Sequence, residues 1–378
     1  MEKIIGGIKH ECYPLTPAQM VHMYTLQLSP THEIVNIGSG VFLKTELNVS
    51  VLREALNRAI ERCESMRLRI WRDPETNELW QYVVPYKNQY FEYYDFSALT
   101  EEKAHSILER WTSQPFDTYG GELSRIVIVS MPDGYNGYYC NVHHACADSG
   151  SVVTFTKDVM DLYCHLMYGL PHPPPLTSYI ESVKKDLHAI RTVLSKFNNN
   201  EKDITIRNFV SRRSTLLNKK CGGVRMHCLP LRTIIEPTAT VLESMNIINK
   251  EQQEMFLHAD YSTMKFYYEQ MLAYNTEPGA EYHSISFTYQ PATRKSLVPY
   301  LKDIPYKSRW YSSGKQPQPF YITAMHRPGD GGLTFYFGYQ KDSATPEEIE
   351  FLYYFTGRVL FRSIENPDKT IEEIIKMT

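Results

Sequence analysis

A pair of neighbouring histidines followed by an aspartate is the feature of this sequence that could do chemistry. His143 and His144 end an apolar, aromatic run, and Asp148 lies four positions after His144. Histidine has an unperturbed pKa of about 6.5, so its imidazole can take up and return a proton near neutral pH. A nearby carboxylate can hold the surroundings of such a base in place. The spacing therefore predicts an acid–base site with His144 as the candidate catalytic residue.

The two histidines are expected to have different roles. Residues 138–142 have the pattern of a strand, in which successive side chains point to opposite faces. We therefore expect His143 to form structural hydrogen bonds on the side opposite to His144. A metal site is not favoured, because the two rings diverge and no further ligands are evident. Cys146, within the motif, is an alternative nucleophile, although the sequence places no base beside it.

Regular elements on both sides of the motif would position it. Residues 123–129 form a predicted strand, residues 132–137 turn the chain back, and either Ser149 or Ser151 caps the helix that follows the motif. Upstream, residues 48–64 show the apolar stripe of a helix. The same strand–turn–strand–helix order recurs over residues 320–364, with Tyr339 and Gln340 where the histidines stand in the first half. The sequence thus predicts a duplicated plan with one active site.

A proline-rich segment over residues 171–175 is the strongest candidate in the chain for a domain boundary. It divides the sequence into an N-terminal domain, residues 1–172, which carries the motif, and a C-terminal domain, residues 173–378. Within the second domain, methionine, tyrosine and other apolar residues at helical spacing predict a packed helix over residues 238–275.

At these residues the chain resembles the condensation domains of nonribosomal peptide synthetases, within the chloramphenicol-acetyltransferase-like acyltransferases. That family carries a His-His-x-x-x-Asp-Gly motif, which this chain matches except for Ser149 in place of the glycine. Further similar segments follow in order at residues 13–19, 66–69, 114–117, 211–213, 228–232 and 287–291. The resemblance implies an α+β fold. Two acetyltransferase-like lobes, each a mostly antiparallel or mixed sheet flanked by helices, would form a V with a tunnel running past the motif.

The resemblance also implies roles for particular residues. His144, with His143 and Asp148, would form the catalytic site, although Asp148 would mainly pair with an arginine. Arg213 best matches the family's arginine, and Arg212 is the alternative. Ser149 and Gly150 would support the turn after the motif. The second lobe is expected to lack a segment between about residues 186 and 200, since the family has several dozen more residues here.

The implied function is amide or ester bond formation between a thioester-bound acyl or peptidyl donor and an amine or hydroxyl acceptor. The donor would be a 4'-phosphopantetheine thioester on a partner carrier protein, or a coenzyme A thioester. Peptidyl or acyl carrier proteins are the expected partners, together with adenylation enzymes. The alternative is a non-catalytic, condensation-like module that docks carrier proteins or a partner enzyme, for which Ser149 and the shortened second lobe argue.

Composition narrows the classes of function. The 378 residues, 42% of them hydrophobic, can form two domains, and a net charge of −3 without a basic block argues against nucleic acid. No apolar run predicts a signal peptide or a membrane span. Seven cysteines without a C-x-x-C pair favour reduced thiols and a cytoplasmic setting. Residues 312–315 resemble the end of a phosphate-binding loop, but Arg309 occupies the position of the first glycine of that motif. We therefore expect no intrinsic cofactor.

Overall fold

The computed structural model describes residues 2–15, 17–171, 201–211, 223–224, 226–258, 261–276, 285–290, 299–301, 303–326 and 333–378. The described residues of Met1–Pro174, Ser211–Met226 and Arg294–Pro317 form one compact unit, and those of Pro175–Val210, His227–Thr293 and Gln318–Thr378 form a second. Each unit has a five-stranded sheet, which confirms the predicted α+β class with two sheet-bearing parts. The predicted boundary at residues 172–173 and the predicted missing segment at 186–200 both lie outside the described residues.

The described elements follow one another along the chain as strands and helices of ordinary length. Those up to residue 171 are β1 (Glu2–Ile5), β2 (Ile8–Glu11), β3 (Tyr13–Pro14), α1 (Pro17–Leu28), β4 (Asn36–Leu43), α2 (Val49–Arg62), β5 (Leu68–Arg72), β6 (Leu79–Val83), β7 (Tyr93–Asp95), α3 (Glu101–Thr112), β8 (Ser124–Ser130), β9 (Asn136–His143) and α4 (Ser149–Tyr168). The later ones are β10 (Asp203–Ser211), β11 (Met226–Ile234), α5 (Val241–Leu257), α6 (Thr263–Tyr274), β12 (Ile285–Gln290), β13 (Tyr306–Tyr311), β14 (Phe320–His326), β15 (Leu333–Tyr339), α7 (Pro346–Glu365) and α8 (Ile371–Lys376).

Strand β9 is the central strand of the first unit's main sheet, whose order is β13-β4-β9-β8-β7. It pairs antiparallel with β4 and β8, while β7 runs parallel to β8. Tyr138, Cys140 and Val142 of β9 belong to the unit's main core, and Tyr139 belongs to a second core cluster. Because side chains alternate along a strand, His143 shares the face of Tyr139 and not that of Val142.

Helix α2 covers the main core, and its sequence explains both its start and its buried face. The Asn48 side chain accepts a hydrogen bond from the Val51 backbone N–H at 3.1 Å, which caps the first turn. The buried side chains recur at helical spacing: Leu52, Ala55, Leu56, Asn57, Ala59 and Ile60. This confirms the helix that the apolar stripe predicts over residues 48–64.

The N-cap of helix α4 is a residue that precedes both of the predicted caps. Its N-cap is Asp148, and Ser151 is the third helical residue of a reciprocal capping box. The prediction that Ser149 or Ser151 is the N-cap is therefore wrong. The aspartate takes this role because its carboxylate reaches the backbone N–H of Ser151 at 2.7 Å. The helix ends at Gly169, whose φ of 69° is the left-handed conformation common at helix C-termini.

The second unit has the sheet order β11-β10-β12-β14-β15. Strands β10, β12 and β14 are parallel where they pair, and β14 and β15 form an antiparallel pair. Helix α7 follows, with Thr345 as its N-cap and a proline in its first turn. The predicted repetition of strand, strand and helix is confirmed, while the predicted turn at 328–332 lies outside the described residues.

The predicted single helix over residues 238–275 is wrong. The structure has two helices here, α5 and α6, because His258 ends the first and Ser262 caps the second. The serine side chain accepts from the Lys265 backbone N–H. Apolar residues at helical spacing continue across this break, so their pattern alone does not reveal it.

Strand β13 belongs to the first unit although it follows β12 in the chain. It pairs antiparallel with β4 over six residues, from Tyr306 opposite Leu43 to Tyr311 opposite Gly38. The Tyr311 hydroxyl lies 2.8 Å from Nδ1 of buried His105 on α3. The sheet that carries the histidine motif is therefore completed by residues distant in sequence.

Candidate active site

The motif lies where β9 ends and α4 begins, within the first unit. The last pair of the β4–β9 ladder joins Asn36 and His143, and the backbone N–H of His144 then donates to the Val35 carbonyl at 2.8 Å. The chain turns immediately, since the Cys146 N–H donates to the His143 carbonyl. The backbone thus fixes the position of both histidines before any side-chain contact is considered.

The His143 ring is fully buried and bonded through both of its nitrogens. Nδ1 accepts from the Ala145 backbone N–H at 3.0 Å. A neutral imidazole that accepts at Nδ1 carries its proton on Nε2, and Nε2 lies 3.3 Å from Oγ1 of Thr118. Burial, together with nearby His144 and His32, lowers the pKa of His143 to about 3. This ring is neutral at pH 7 and occupied by structural hydrogen bonds, as the strand alternation leads us to expect.

The His144 ring has a different environment. It is half-buried, and it stacks on the ring of His22 with centroids 3.9 Å apart and planes inclined by 8°. Its Nδ1 atom is shielded from solvent without a hydrogen-bond partner among the described residues. Burial of the ring lowers the pKa of His144 to about 4, an effect that the Asp148 carboxylate partly opposes. His144 is therefore neutral at pH 7 and able to accept a proton.

Asp148 is buried and engaged with the start of α4. Its Oδ1 atom accepts from the Ser151 backbone N–H at 2.7 Å and lies 2.8 Å from Oγ of Ser151. The same hydroxyl is within hydrogen-bonding distance of the Gly223 carbonyl, and Ala147 forms an isolated bridge with Gly223. Gly223, more than 70 residues away in sequence, thus lies against the motif turn.

The remaining predicted site residues fall into two groups. Ser149 and Gly150 form the first turn of α4, where both are half-buried. Ser149 does not have a positive φ, so the serine that replaces the family's glycine causes no backbone strain. Arg212 and Arg213 lie outside the described residues, and their pairing with Asp148 stays a prediction.

Cys146 has the environment of a structural thiol. Its Sγ atom is buried and donates towards the carbonyls of His143 and Leu123, at 3.1 and 3.3 Å. Burial is the main reason that the pKa of this thiol is raised to about 12. Since the thiolate is the nucleophilic form, this environment argues against the alternative in which Cys146 attacks the substrate.

Helix α1 supplies two site residues to which the sequence pattern assigns no role. The buried Gln19 side chain donates to the Ala145 carbonyl at 2.9 Å and to Gln81 at 2.7 Å. His22 follows it by three positions and stacks on His144. Residues three apart share a helix face. Gln19 lies in a segment that resembles the family, and His22 follows it on the same face. The sequence pattern could therefore have indicated both residues.

The arrangement can support proton transfer or the positioning of a nucleophile. The neutral ring of His143 is hydrogen-bonded through both nitrogens. The neutral ring of His144 is partly open to solvent, and the carboxylate of Asp148, which caps α4, lies close by. In the described part of the chain, no group of three or more histidine, cysteine, aspartate or glutamate side chains is placed to hold a metal ion. None of the described helices is long and apolar enough to cross a membrane.

Comparison with known sequences identifies one family. Residues 9–191 match the family of the condensation domain. A plipastatin synthase protein of Bacillus subtilis (strain 168) is 20% identical over 437 residues, covering 96% of this chain and 17% of that protein. A surfactin synthase protein of the same organism is 28% identical over 163 residues, covering 42% of this chain and 4% of that protein. The chain spans less than a fifth of the length of these relatives.

Solved structures have the same fold over almost all of the chain. The first condensation domain of the calcium-dependent antibiotic synthetase, in complex with a substrate analogue, has a TM-score of 0.80 at 16% identity and covers 96% of this chain and 98% of that one. The starter condensation domain of rhizomide synthetase, in complex with C8-CoA, has a TM-score of 0.80 at 15% identity and covers 96% of both chains. At such low identity, these similarities establish the fold.

Proposed function

Because residues 9–191 match the condensation-domain family and the described chain has the fold of solved condensation domains, we propose that this protein is a condensation-type acyltransferase. It joins a thioester-bound acyl or peptidyl donor to an amine or hydroxyl acceptor. The observation that carries the proposal is the His144 ring, which is neutral at pH 7, half-buried and located at the end of the central strand. That ring has the protonation state that a general base requires.

The reaction follows from ordinary acyl-transfer chemistry. The acceptor nitrogen or oxygen attacks the thioester carbonyl carbon, a C–N or C–O bond forms, and the C–S bond breaks. In our proposal, His144 accepts the proton that the acceptor loses, and the departing sulfur takes up a proton as the thiol is released. A role of His144 in holding the acceptor in position, without proton transfer, is the other interpretation. General-base help typically contributes roughly 10²–10⁴ in rate.

Residues around His144 support it in this proposal. His143 keeps the turn in place through Ala145 and Thr118. Asp148 caps α4 and, by resemblance, pairs with Arg213 or with neighbouring Arg212. Ser149 and Gly150 form the first helical turn next to these groups. None of them needs to exchange a proton with substrate for the mechanism to operate.

The donor and the partners are inferred from the relatives. The relatives are components of plipastatin and surfactin synthases, which supports a 4'-phosphopantetheine thioester on a peptidyl or acyl carrier protein as the donor. The rhizomide synthetase domain was solved with C8-CoA, which supports a coenzyme A thioester as the other donor. Adenylation enzymes fit the proposal as suppliers of loaded carriers.

His144→Ala should abolish product formation while the protein stays folded. The motivation is the neutral ring of His144, and a loss of about 10²-fold or more is expected for a general base. The measurement is product mass after incubation with acyl-loaded carrier protein or C8-CoA and a panel of aminoacyl thioester acceptors. The matched control is His258→Ala, which removes an exposed histidine from the second unit. Wild-type turnover by folded His144→Ala protein would contradict the assignment.

A non-catalytic docking module is the second candidate function. Ser149 in place of the family's glycine and the predicted shortening near residues 186–200 favour it. The 437-residue alignment with plipastatin synthase is longer than this 378-residue chain and therefore contains gaps, which is in keeping with a shortened form. If wild type and His144→Ala bind loaded carrier protein equally and neither forms product, the docking role is supported over catalysis.

A further inference from the structure

His22 is a second imidazole in direct contact with the candidate catalytic ring. It lies on α1, and its ring is almost parallel to that of His144, at a centroid distance of 3.9 Å and an angle of 8°. Other ring contacts described in this unit are tilted or edge-on, as between Phe116 and His143. The face-to-face contact therefore defines the plane of His144 and covers one of its two faces.

Helix α1 is held rigidly against the motif turn. Gln19, one helical turn before His22, donates to the Ala145 carbonyl and is itself fixed by Gln81. On the same helix, Met23 and Leu26 are buried in the main core of the unit. His22 thus projects from an anchored element, close to the helix face that packs against the core.

This anchoring matters because Nδ1 of His144 makes no hydrogen bond that would fix the ring among the described residues. A catalytic imidazole is commonly oriented by a hydrogen bond from its second nitrogen to a carboxylate or carbonyl. Nδ1 of His144 has no such partner among the described residues, and the Asp148 carboxylate is directed to the start of α4. The stacked ring of His22 is therefore a contact that can orient His144 where Nδ1 has no hydrogen bond.

We propose that His22 is a positioning residue for His144, which it holds by face-to-face stacking in the orientation that the acceptor requires. The inference rests on the proposed function, in which His144 is the group that meets the acceptor.

Several groups close to His22 and His144 influence the charge of the His144 ring. Asp148 favours the protonated form of His144, and the backbone carbonyls of His144 and Ala147 act in the same direction. On the neighbouring strand end, His143 interacts with His144 and with His32. Changes at His22 must therefore be compared with an otherwise unaltered site, and this excludes variants of Asp148 or His143 as controls.

The kinetic test compares His22→Ala, which removes the stack, with His22→Phe, which keeps an aromatic face. With the donor and acceptor probes used above, His22→Ala should lower kcat by roughly 10²-fold, the size of effect that a small misplacement of a reacting group can have, with KM little changed. His22→Phe should recover most of this loss, and Gln27→Ala, an exposed change on the same helix, should behave as wild type. Wild-type kcat in His22→Ala would overturn the proposal.

A measurement that needs no turnover separates this inference from the proposed function. NMR of the wild-type protein should show close contacts between the ring protons of His22 and those of His144. In His22→Ala the ring signals of His144 should shift, because the face of the neighbouring ring is gone, whereas Gln27→Ala should leave them unchanged. Superimposable His144 ring signals in His22→Ala and wild type would overturn the contact. A shift of these signals in a protein that never turns over substrate would leave the stacking established and reject the acyltransferase function.

Discussion

Two adjacent histidines acquire different properties because they lie on opposite sides of one strand end. His143 is enclosed and uses both ring nitrogens for hydrogen bonds within the turn. His144 is half-buried and contacts His22 through its face. Burial keeps both rings neutral at pH 7, but one is committed to structure and the other has a nitrogen left for chemistry. Residue type alone could not have made this distinction.

The buried His143 should make the protein less stable in mild acid. Its pKa is about 3 when folded, against an ordinary value of 6.5, so between these values the unfolded chain binds a proton that the native protein does not. The free energy of unfolding is therefore fully retained above about pH 6.5 and falls as the pH drops towards 3, by up to about 1.4 kcal/mol per pH unit for this residue.

Urea denaturation at a series of pH values from 7 to 4 measures this dependence. His143→Asn retains an oxygen able to accept from Ala145 but cannot titrate, so its stability should fall less steeply with acid than that of the wild type. The exposed-histidine variant His258→Ala should keep the wild-type slope. Equal slopes for His143→Asn and wild type would show that His143 is not the group that takes up the proton.

At the scale of elements, the turn between β9 and α4 is organised by Asp148. The aspartate caps the helix with a reciprocal box through Ser151, and the Ser151 hydroxyl also reaches the Gly223 carbonyl. One side chain therefore starts the helix that covers the core and lies beside the candidate base. The proximity of the carboxylate to His144 in the motif is, in part, a consequence of where the helix must begin.

Variants of Asp148 can separate its capping role from its predicted ion pair. Asparagine is as good an N-cap as aspartate, whereas alanine costs about 0.5–2 kcal/mol. If Asp148 also pairs with Arg213 away from water, as we predict, Asp148→Asn should lose about 3–5 kcal/mol, because it leaves a buried charge unpaired. Asp148→Ala should lose more than this.

A double-mutant cycle of Asp148→Asn and Arg213→Gln tests the pair. The loss in the double variant should be smaller than the sum of the two single losses, since each single change already breaks the interaction. Additive losses would show that the two residues do not interact, and Arg212→Gln would then complete the cycle in place of Arg213→Gln.

At the scale of the whole molecule, the unit that carries the motif is built from distant parts of the chain. Strand β13 joins its sheet beside β4, and Gly223 lies against the motif turn. Around β13, Lys307 and Arg309 form exposed ion pairs with α3, while the Tyr311 hydroxyl meets His105 in the interior. The interior contact should matter more, because exposed ion pairs contribute only about 0–1 kcal/mol.

Tyr311→Phe should destabilise the protein by about 1–3 kcal/mol, since it leaves Nδ1 of buried His105 without the hydroxyl that now bonds to it. Arg309→Ala, on the same strand, removes an exposed pair and should cost less than about 1 kcal/mol. Thermal and urea unfolding of both variants measure the difference. An equal or larger loss in Arg309→Ala would mean that surface charges, and not the buried contact, secure β13.

Features of this protein that depend on residues within a few positions of one another could be predicted from the sequence. The apolar stripe and the Asn48 cap of α2, the alternation that separates His143 from His144, and the ordered motif matches that indicated the condensation fold are all of this kind. Even here the sequence misplaces the cap of α4, because several polar residues there could serve as a cap. It also hides the break between α5 and α6, because apolar residues continue at helical spacing across it.

Only the tertiary structure decided which distant residues surround the motif. It brought His22 onto the face of His144, Gln19 to the Ala145 carbonyl, and β13 to the sheet of the first unit. It also set the protonation of both histidines, since their pKa values depend on burial. Local propensities act over a few residues, whereas these contacts join residues far apart in the chain. Their free energy comes from burying a whole core, and no short segment encodes that core by itself.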